Sequence, residues 1–353
     1  MQEILITGGC GFIGSSLAVH LSNQGHGVSI LDNLSRRGSE HILNRVLSHG
    51  CKFFHGDVRN AEDFTKLRND FSIMIECSAE PSVLVGTQGQ DARFMVNNNL
   101  LGSVNCFEFV RERKLPVIFL STSRVYPYNA LNACEFTESD TRFELLTRQP
   151  GISQQGISTD YTLSGVRSLY GATKLASELL LQEYSTQYDI PSIINRCGVI
   201  AGPWQLGKID QGVFTHWLAS HYFGNPLNYI GFGGQGKQVR DLLHISDLAI
   251  LIEQQIAQIH TFRGKVFHAG GARLSNLSLL ETTLLCRQIT GKTVAVGSIS
   301  ETRPADVKWY ITNNGDTEAT FKWHPTKKPA DILQDTYLWL QQNETLFRGL
   351  IGG

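Results

Sequence analysis

A chain of 353 residues, 41% of them hydrophobic, is long enough to bury a large core in one big domain or two closely packed ones. Its 31 basic and 32 acidic side chains leave a formal net charge of -1, which gives no sign of a nucleic-acid or membrane-surface partner. No apolar run approaches the ~18 residues of a membrane span. The cysteines, at Cys10, Cys51, Cys77, Cys106, Cys134, Cys197 and Cys286, include no C-x-x-C pair, so reduced thiols and no metal site are expected.

The first residues run directly into Ile4-Leu5-Ile6, with no cationic segment and long apolar run ahead of them. No secretory leader is therefore expected, and the protein is expected in the cytoplasm. Short apolar runs at 4–7, 28–32, 52–55, 73–77, 117–121 and 192–195 read as strands buried on both faces, with amphipathic helices at 12–24, 101–113 and 172–187. Strand–helix alternation predicts an α/β fold, a doubly wound parallel sheet of the Rossmann type, over residues 1–197. The stretch 128–168 reads as long and irregular, and such loops seldom persist without a role. Beyond Gly198 the pattern is mixed. Gly and aromatic residues cluster over 202–236, followed by a helix at 246–258, a strand at 265–269 and helices near 278–288 and 330–341. This predicts a smaller mixed α/β substrate-binding lobe made mainly of 198–353, with segments near 240–262 returning to the first domain and the ligand between the two.

Gly8, Gly11 and Gly14 follow the first strand and open a helix at Phe12 and Ile13. Glycines there permit a tight turn, close approach of backbone to a pyrophosphate and helix–sheet packing, and the helix N-terminus faces the phosphates. Asp32 ends the second strand, where a carboxylate binds adenosine ribose hydroxyls and repels a 2′-phosphate; this favours NAD, although Arg36 and Arg37 follow closely. Asp57 closes the third strand, placed either to reach the adenine amino group or to cap a helix beginning at Asn60. Asn99 either fixes the next helix or touches the cofactor. Asn33, Val58 and Ser78 complete the expected cofactor set.

Tyr170-Gly171-Ala172-Thr173-Lys174 carries the chemistry. A lysine four residues after a tyrosine lies on the same helix face. Its ammonium favours the phenolate of a group that otherwise titrates near ~10, and the phenolate can take a proton from an alcohol as its hydride leaves. At the end of the fifth strand, Thr122 and Ser123 compete to hydrogen-bond the reacting oxygen. Arg240 and Arg303 are candidates for a substrate diphosphate, which the planar fork of arginine suits. Residues 231–236, Gly-Phe-Gly-Gly-Gln-Gly, read as a flexible substrate loop, and His244 as a structural histidine after a short strand.

The glycine triplet, Asp32, Ser121-Thr122-Ser123-Arg124-Val125-Tyr126, Tyr170 and Lys174 resemble the extended short-chain dehydrogenase/reductase family, which includes NAD-dependent nucleotide-sugar epimerases and dehydratases, over essentially the whole chain. A closer resemblance, to members that invert C2 of a CDP-linked 3,6-dideoxyhexose, rests on four segments. They are Asp32-Asn33-Leu34-Ser35-Arg36, Ser121-Thr122-x-x-Val125-Tyr126, Asp210-Gln211-Gly212 and Gly236-Lys237-Gln238-Val239-Arg240-Asp241-x-x-His244. Matching by distance to Val125-Tyr126 puts the family's catalytic Ser/Thr on Thr122. The resemblance implies firmly retained NAD, recycled through a 2-keto sugar, and a nucleotide-diphosphate sugar as substrate. It places Ser123, Arg124, Asp210 and Gln211 toward the sugar and Arg240 and Arg303 on the nucleotide moiety, and it implies a homo-oligomer of two or four chains.

The nearest rivals are a 4-epimerase or a 4,6-dehydratase of another nucleotide sugar. Dehydratases of this family carry an acidic pair directly after the active-site Thr, and this chain has Ser123-Arg124 there. A non-catalytic NAD-binding scaffold or sensor on the same fold typically lacks the Tyr or the Lys, and both are present. Two departures stand out. Pro127 replaces the usual Gly after Val-Tyr, and Glu76-Cys77-Ser78-Ala79 replaces the usual His-Leu-Ala-Ala after the fourth strand.

Overall fold

The computed structural model describes residues 1–68, 70–86, 92–206 and 212–351, with 348–351 as backbone alone. Asp210 and Gln211 lie outside the described residues. The chain divides into two compact units. One consists of Met1–Val125, Leu169–Arg196 and Leu248–Phe267, the other of Tyr126–Ser168, Cys197–Asp247 and His268–Gly353.

Seven strands form the central sheet, in the order Lys52–His55, Gly27–Asp32, Glu3–Thr7, Ile73–Glu76, Val117–Thr122, Ser192–Cys197 and Lys265–Ala269. The strands are continuous apolar runs because helices cover both faces: Ile4, Leu5 and Ile6 are all fully buried. Glu3–Thr7 pairs in parallel with Gly27–Asp32 on one side and with Ile73–Glu76 on the other. Sequence order reverses between Glu3–Thr7 and Ile73–Glu76, so the switch point of the doubly wound sheet falls there, with Thr7 and Glu76 in register at its carboxyl end. Leu5, Met74, Phe107, Phe119, Leu181 and Ile194 make the core beneath it. Each fully buried side chain of this size contributes roughly 1.5–3 kcal/mol by leaving water.

Three segments differ from what local pattern predicts. The helix expected from 172 is Leu169–Tyr188, because Gly171 is buried in its first turn and packing overrides its weak helix propensity. The helix expected from 101 is Gly102–Arg113, preceded by a π-helical turn over Val96–Leu101 whose Asn97-Asn98-Asn99 run hides it from propensity reasoning. The stretch expected to be irregular holds a helix at Tyr128–Asn132, an antiparallel pair of Phe136–Glu138 with Phe143–Leu145, and another of Ile152–Ser153 with Gly156–Ile157. These strands are too short to show a period of two. Pro127 stands in extended backbone ahead of the Tyr128–Asn132 helix, where the absence of an N–H costs nothing.

In the second unit Val239–His244 pairs with Val199–Ala201, Asn276–Ser278 and Trp309–Tyr310, and Leu227–Ile230 pairs with Val296–Ile299. The helices Val213–Phe223, Leu279–Thr290 and Pro329–Gln342 bury Phe214, Leu218, Cys286, Ile332 and Leu333 in a core of their own. Residues 231–236 form turns with positive φ at Gly231, Phe232, Gly233, Gly234 and Gly236, leading into the Val239–His244 strand.

Candidate active site

The glycine loop is shaped by steric necessity at two positions. Gly8 has φ +65°, and a Cβ there would lie 2.9 Å from the carbonyl of Cys77 across the switch point; a Cβ on Gly14 would lie 2.3 Å from the oxygen of Gly8. The amide of Gly11 donates to Gly8 O at 3.0 Å, closing the turn. The helix Phe12–Asn23 then starts from Gly11, which has no side chain to cap the amides of the first turn, at Phe12 and Ile13. Such an end suits an anion.

Asp32 joins this loop to the second strand. Its Oδ2 accepts the Cys10 amide at 2.9 Å and its Oδ1 accepts the Leu34 amide at 2.8 Å. Each oxygen retains a lone pair for a ribose hydroxyl. Burial pushes the Asp32 carboxyl above its usual range, against the pull of the two amides. Beside it, Asn33 Nδ2 donates to Asp57 Oδ2 at 2.9 Å. Asp57 does not cap the following helix, whose first residue is Ala61 and whose Asn60 makes no side-chain cap. Its carboxylate instead takes the Arg59 guanidinium at 2.5 Å and the Arg59 amide at 2.9 Å, and these bonds to Arg59 hold its pKa down to about 2. Val58 is buried, and its carbonyl accepts Asn105 Nδ2 at 2.8 Å. The Ser78 amide donates to Glu76 Oε1 at 3.1 Å, while its buried hydroxyl makes no hydrogen bond among the described residues.

Asn99 is fully buried. Its Oδ1 accepts the Glu80 amide at 2.8 Å and its Nδ2 donates to the Glu80 carbonyl at 3.0 Å, so the side chain staples the loop after the fourth strand to the π-helical turn.

Within Ser121-Thr122-Ser123 the three hydroxyls part ways. Ser121 points into the core and donates to Glu178. Thr122, the last strand residue, is 8% exposed and accepts the Arg124 amide at 3.2 Å, which leaves its O–H proton to donate. Ser123 and Arg124 are half-buried in the 3-10 turn Ser123–Val125. Tyr170 is half-buried in the first turn of Leu169–Tyr188. Lys174 is 1% exposed, its Nζ 3.9 Å from the Phe119 ring centroid and 3.6 Å from Glu76 Oε2. Tyr170, Lys174 and Glu178 therefore form one stripe at four-residue spacing. Glu178 ends it in an ion pair with Arg196, Nη2 to Oε2 2.7 Å, both side chains nearly fully buried. Glu178 and the Arg196 side chain belong to no motif in the sequence, although the four-residue spacing from Lys174 is a signal for Glu178.

In the second unit, Arg240 Nη2 meets Asp306 Oδ1 at 2.5 Å and the Val307 carbonyl at 2.6 Å. The Asp306 amide donates to the Arg303 carbonyl at 3.3 Å, so one turn links the two arginines, and Asp306 is a partner sequence reasoning did not assign. Burial and the nearby Arg303 charge lower the pKa of His216. His244 ends its strand, buried, with Nδ1 bonded to Ser246 Oγ at 2.6 Å and to the Ser246 amide at 3.1 Å.

The sheet order, the glycine turn at the switch point, the uncapped helix start and the Asp32 carboxylate define a dinucleotide-binding Rossmann protein, and they fit NAD. The pattern of the NAD dependent epimerase/dehydratase family matches residues 4–270, and the chain belongs to that family, with NAD as its cofactor. It is 28% identical to the CDP-paratose 2-epimerase of Salmonella typhi over 96% of this chain and 99% of the relative. It is 25% identical to the bifunctional UDP-glucose 4-epimerase and UDP-xylose 4-epimerase 1 of Pisum sativum over 99% and 98% of the two chains. Among solved structures, UDP-glucuronic acid 4-epimerase from Bacillus cereus, in complex with UDP-glucuronic acid and NAD, superposes with a TM-score of 0.76 at 24% identity, covering 96% of this chain and 99% of the other. Among the described residues no helix is long and apolar enough to cross a membrane.

Proposed function

We propose that this enzyme epimerises C2 of a CDP-linked 3,6-dideoxyhexose through a 2-keto sugar. The observation that carries the reading is the near full-length similarity to a CDP-paratose 2-epimerase, joined to a Tyr170–Lys174 stripe and a Thr122 hydroxyl whose proton is still to be donated. Gly8, Gly11, Phe12, Ile13, Gly14, Asp32 and Asn33 hold the dinucleotide in this reading, with Asp57, Val58 and Ser78 around the adenosine and the switch point. Bound there, NAD would supply a reversible acceptor for the hydride of the sugar carbon. Tyr170 removes the hydroxyl proton and later returns it, Lys174 favours the phenolate, and Thr122 donates to the oxygen that passes between alcohol and ketone. Inversion requires the ketone to present its other face between the two transfers. Arg240, oriented by Asp306, and Arg303 take the diphosphate. Ser123 and Arg124 stand where a dehydratase of this family carries its acidic pair, which supports epimerisation over loss of water.

The reading also carries a homo-oligomer of two or four chains working in the cytoplasm. A second reading, 4-epimerisation of a UDP-sugar, is supported by the pea relative. One experiment separates them: CDP-, UDP- and GDP-sugars are incubated with the protein in D2O and the products are read by NMR. The expected product is inverted at C2 and carries no deuterium there, because hydride returns directly. Deuterium at the inverted centre, or loss of water, overturns the mechanism; inversion at C4 without deuterium moves the site to the second reading.

A further inference from the structure

Glu76 is where the chain departs from the His of His-Leu-Ala-Ala that its family resemblance leads one to expect. The carboxylate is completely buried at the switch point. Oε1 accepts the Ser78 amide at 3.1 Å, and Oε2 has no hydrogen-bond partner among the described residues but faces the Lys174 ammonium at 3.6 Å. Lys174 is closed off from water as well, with the Phe119 ring against its Nζ. Away from solvent, a charge acts on its neighbours with little screening, so an ammonium and its counter-ion are felt together.

Three elements surround the pair, and two of them bring titratable groups. Leu169–Tyr188 brings Tyr170, Lys174 and Glu178, the last already neutralised by Arg196. Gly102–Arg113 brings the Cys106 thiol, which burial and the Glu76 charge push far above its ordinary range, so it stays neutral. The strand Val117–Thr122 brings Phe119 and Ser121, neither of them ionisable in this range. Among the described residues, the Lys174 charge pulls the Glu76 carboxyl back down against the rise that burial imposes.

We infer that Glu76 is a positioning residue, a buried counter-ion that holds Lys174 in place and tempers its charge, and so sets the ionisation of Tyr170. The inference rests on the proposed roles of Tyr170 and Lys174. A lone ammonium at Lys174 would favour the phenolate more strongly, and Glu76 raises the pH at which Tyr170 gives up its proton.

The test is an ultraviolet difference titration of tyrosinate in the NAD-loaded protein, with Tyr170 isolated by subtracting a Tyr170→Phe partner in each background. Glu76→Gln is expected to lower the Tyr170 midpoint by about one pH unit, a tenfold change in its acid constant. Glu76→His, neutral at alkaline pH, is expected to do the same and serves if the Gln variant fails to fold. Glu76→Asp, which keeps the charge, is expected to leave the midpoint near that of the parent. A midpoint that is unchanged or raised in a folded, charge-removing variant overturns the inference. No sugar enters this titration, so its outcome is independent of which carbon or nucleotide the enzyme uses. Full turnover in Tyr170→Phe would instead overturn the proposed roles on which the inference stands.

Discussion

The Glu178 carboxylate meets the Arg196 guanidinium at 2.7 Å beneath the Tyr170–Lys174 stripe, with side-chain exposures of 1% and 6%. Ser121 donates to the same carboxylate from the strand that ends in Thr122. The helix, the fifth strand and the sixth strand are thereby tied together directly behind the hydroxyls of the candidate site. A pair this deep is weak evidence for net stability, but removing one member leaves an uncompensated buried charge. Glu178→Gln is expected to destabilise the protein by about 3–5 kcal/mol. Glu178→Leu combined with Arg196→Met should recover much of that loss. Urea unfolding of the single and double variants measures both; a double variant as unstable as the single one would show that packing, not charge pairing, dominates here.

Asp32 is expected to govern cofactor choice and retention. Heat-released nucleotide from the purified protein should be NAD or NADH, because the carboxylate accepts ribose hydroxyls and repels a 2′-phosphate. Replacing it with Ala removes hydrogen bonds to a charged acceptor, each worth roughly 1.5–3 kcal/mol. NAD affinity should fall by about tenfold or more, read by fluorescence or calorimetric titration of the emptied protein. Recovery of NADP alone from the parent would reverse the assignment of Asp32.

Tyr170→Phe should lower turnover by about 100-fold or more, the scale of a lost general acid–base group, while NAD stays bound. Steady-state kinetics together with the nucleotide content of the purified variant check the two halves. Turnover within a few-fold of the parent would remove Tyr170 from the proton transfer.

Asp241 makes stability depend on pH. It is completely buried in the second unit, where Oδ2 accepts the amides of Ala272 and Thr312 at 3.2 Å each. Burial pushes its pKa up to about 6, against the pull of its Thr312 and Ala272 hydrogen bonds. The unfolded chain titrates near ~3.9, so between those values the folded state binds more protons. The contribution to stability is therefore fully present below the unfolded value and is lost as pH rises through about 6. Over that window the loss amounts to roughly 3 kcal/mol. Asp241→Asn removes the titration, so the variant should gain on the parent by about that amount between pH ~4 and pH ~7. Urea midpoints of both proteins at the two pH values measure it; parallel changes would show that Asp241 is not the group responsible.

The sequence by itself determined the elements around the dinucleotide. Runs such as Ile4-Leu5-Ile6 are apolar on both pleat faces only in a covered parallel sheet, and glycines at 8, 11 and 14 leave the backbone one tight route into a helix. The Tyr170–Lys174 spacing fixes a shared helix face for the same reason: it is local, set by 3.6 residues per turn. The pairings behind that face were decided only by the fold. Glu76 and Lys174, or Glu178 and Arg196, come together because sheet order and register place distant strand ends beside one helix, and no period in the chain encodes that order. Asp241 could be read as part of a motif, but its burial, and with it the rise in its pKa, follows from the strands packed around Val239–His244. Residues 128–168 gave no periodic signal, because their strands of two or three residues are held by backbone pairing to one another and not by a stripe of apolar side chains.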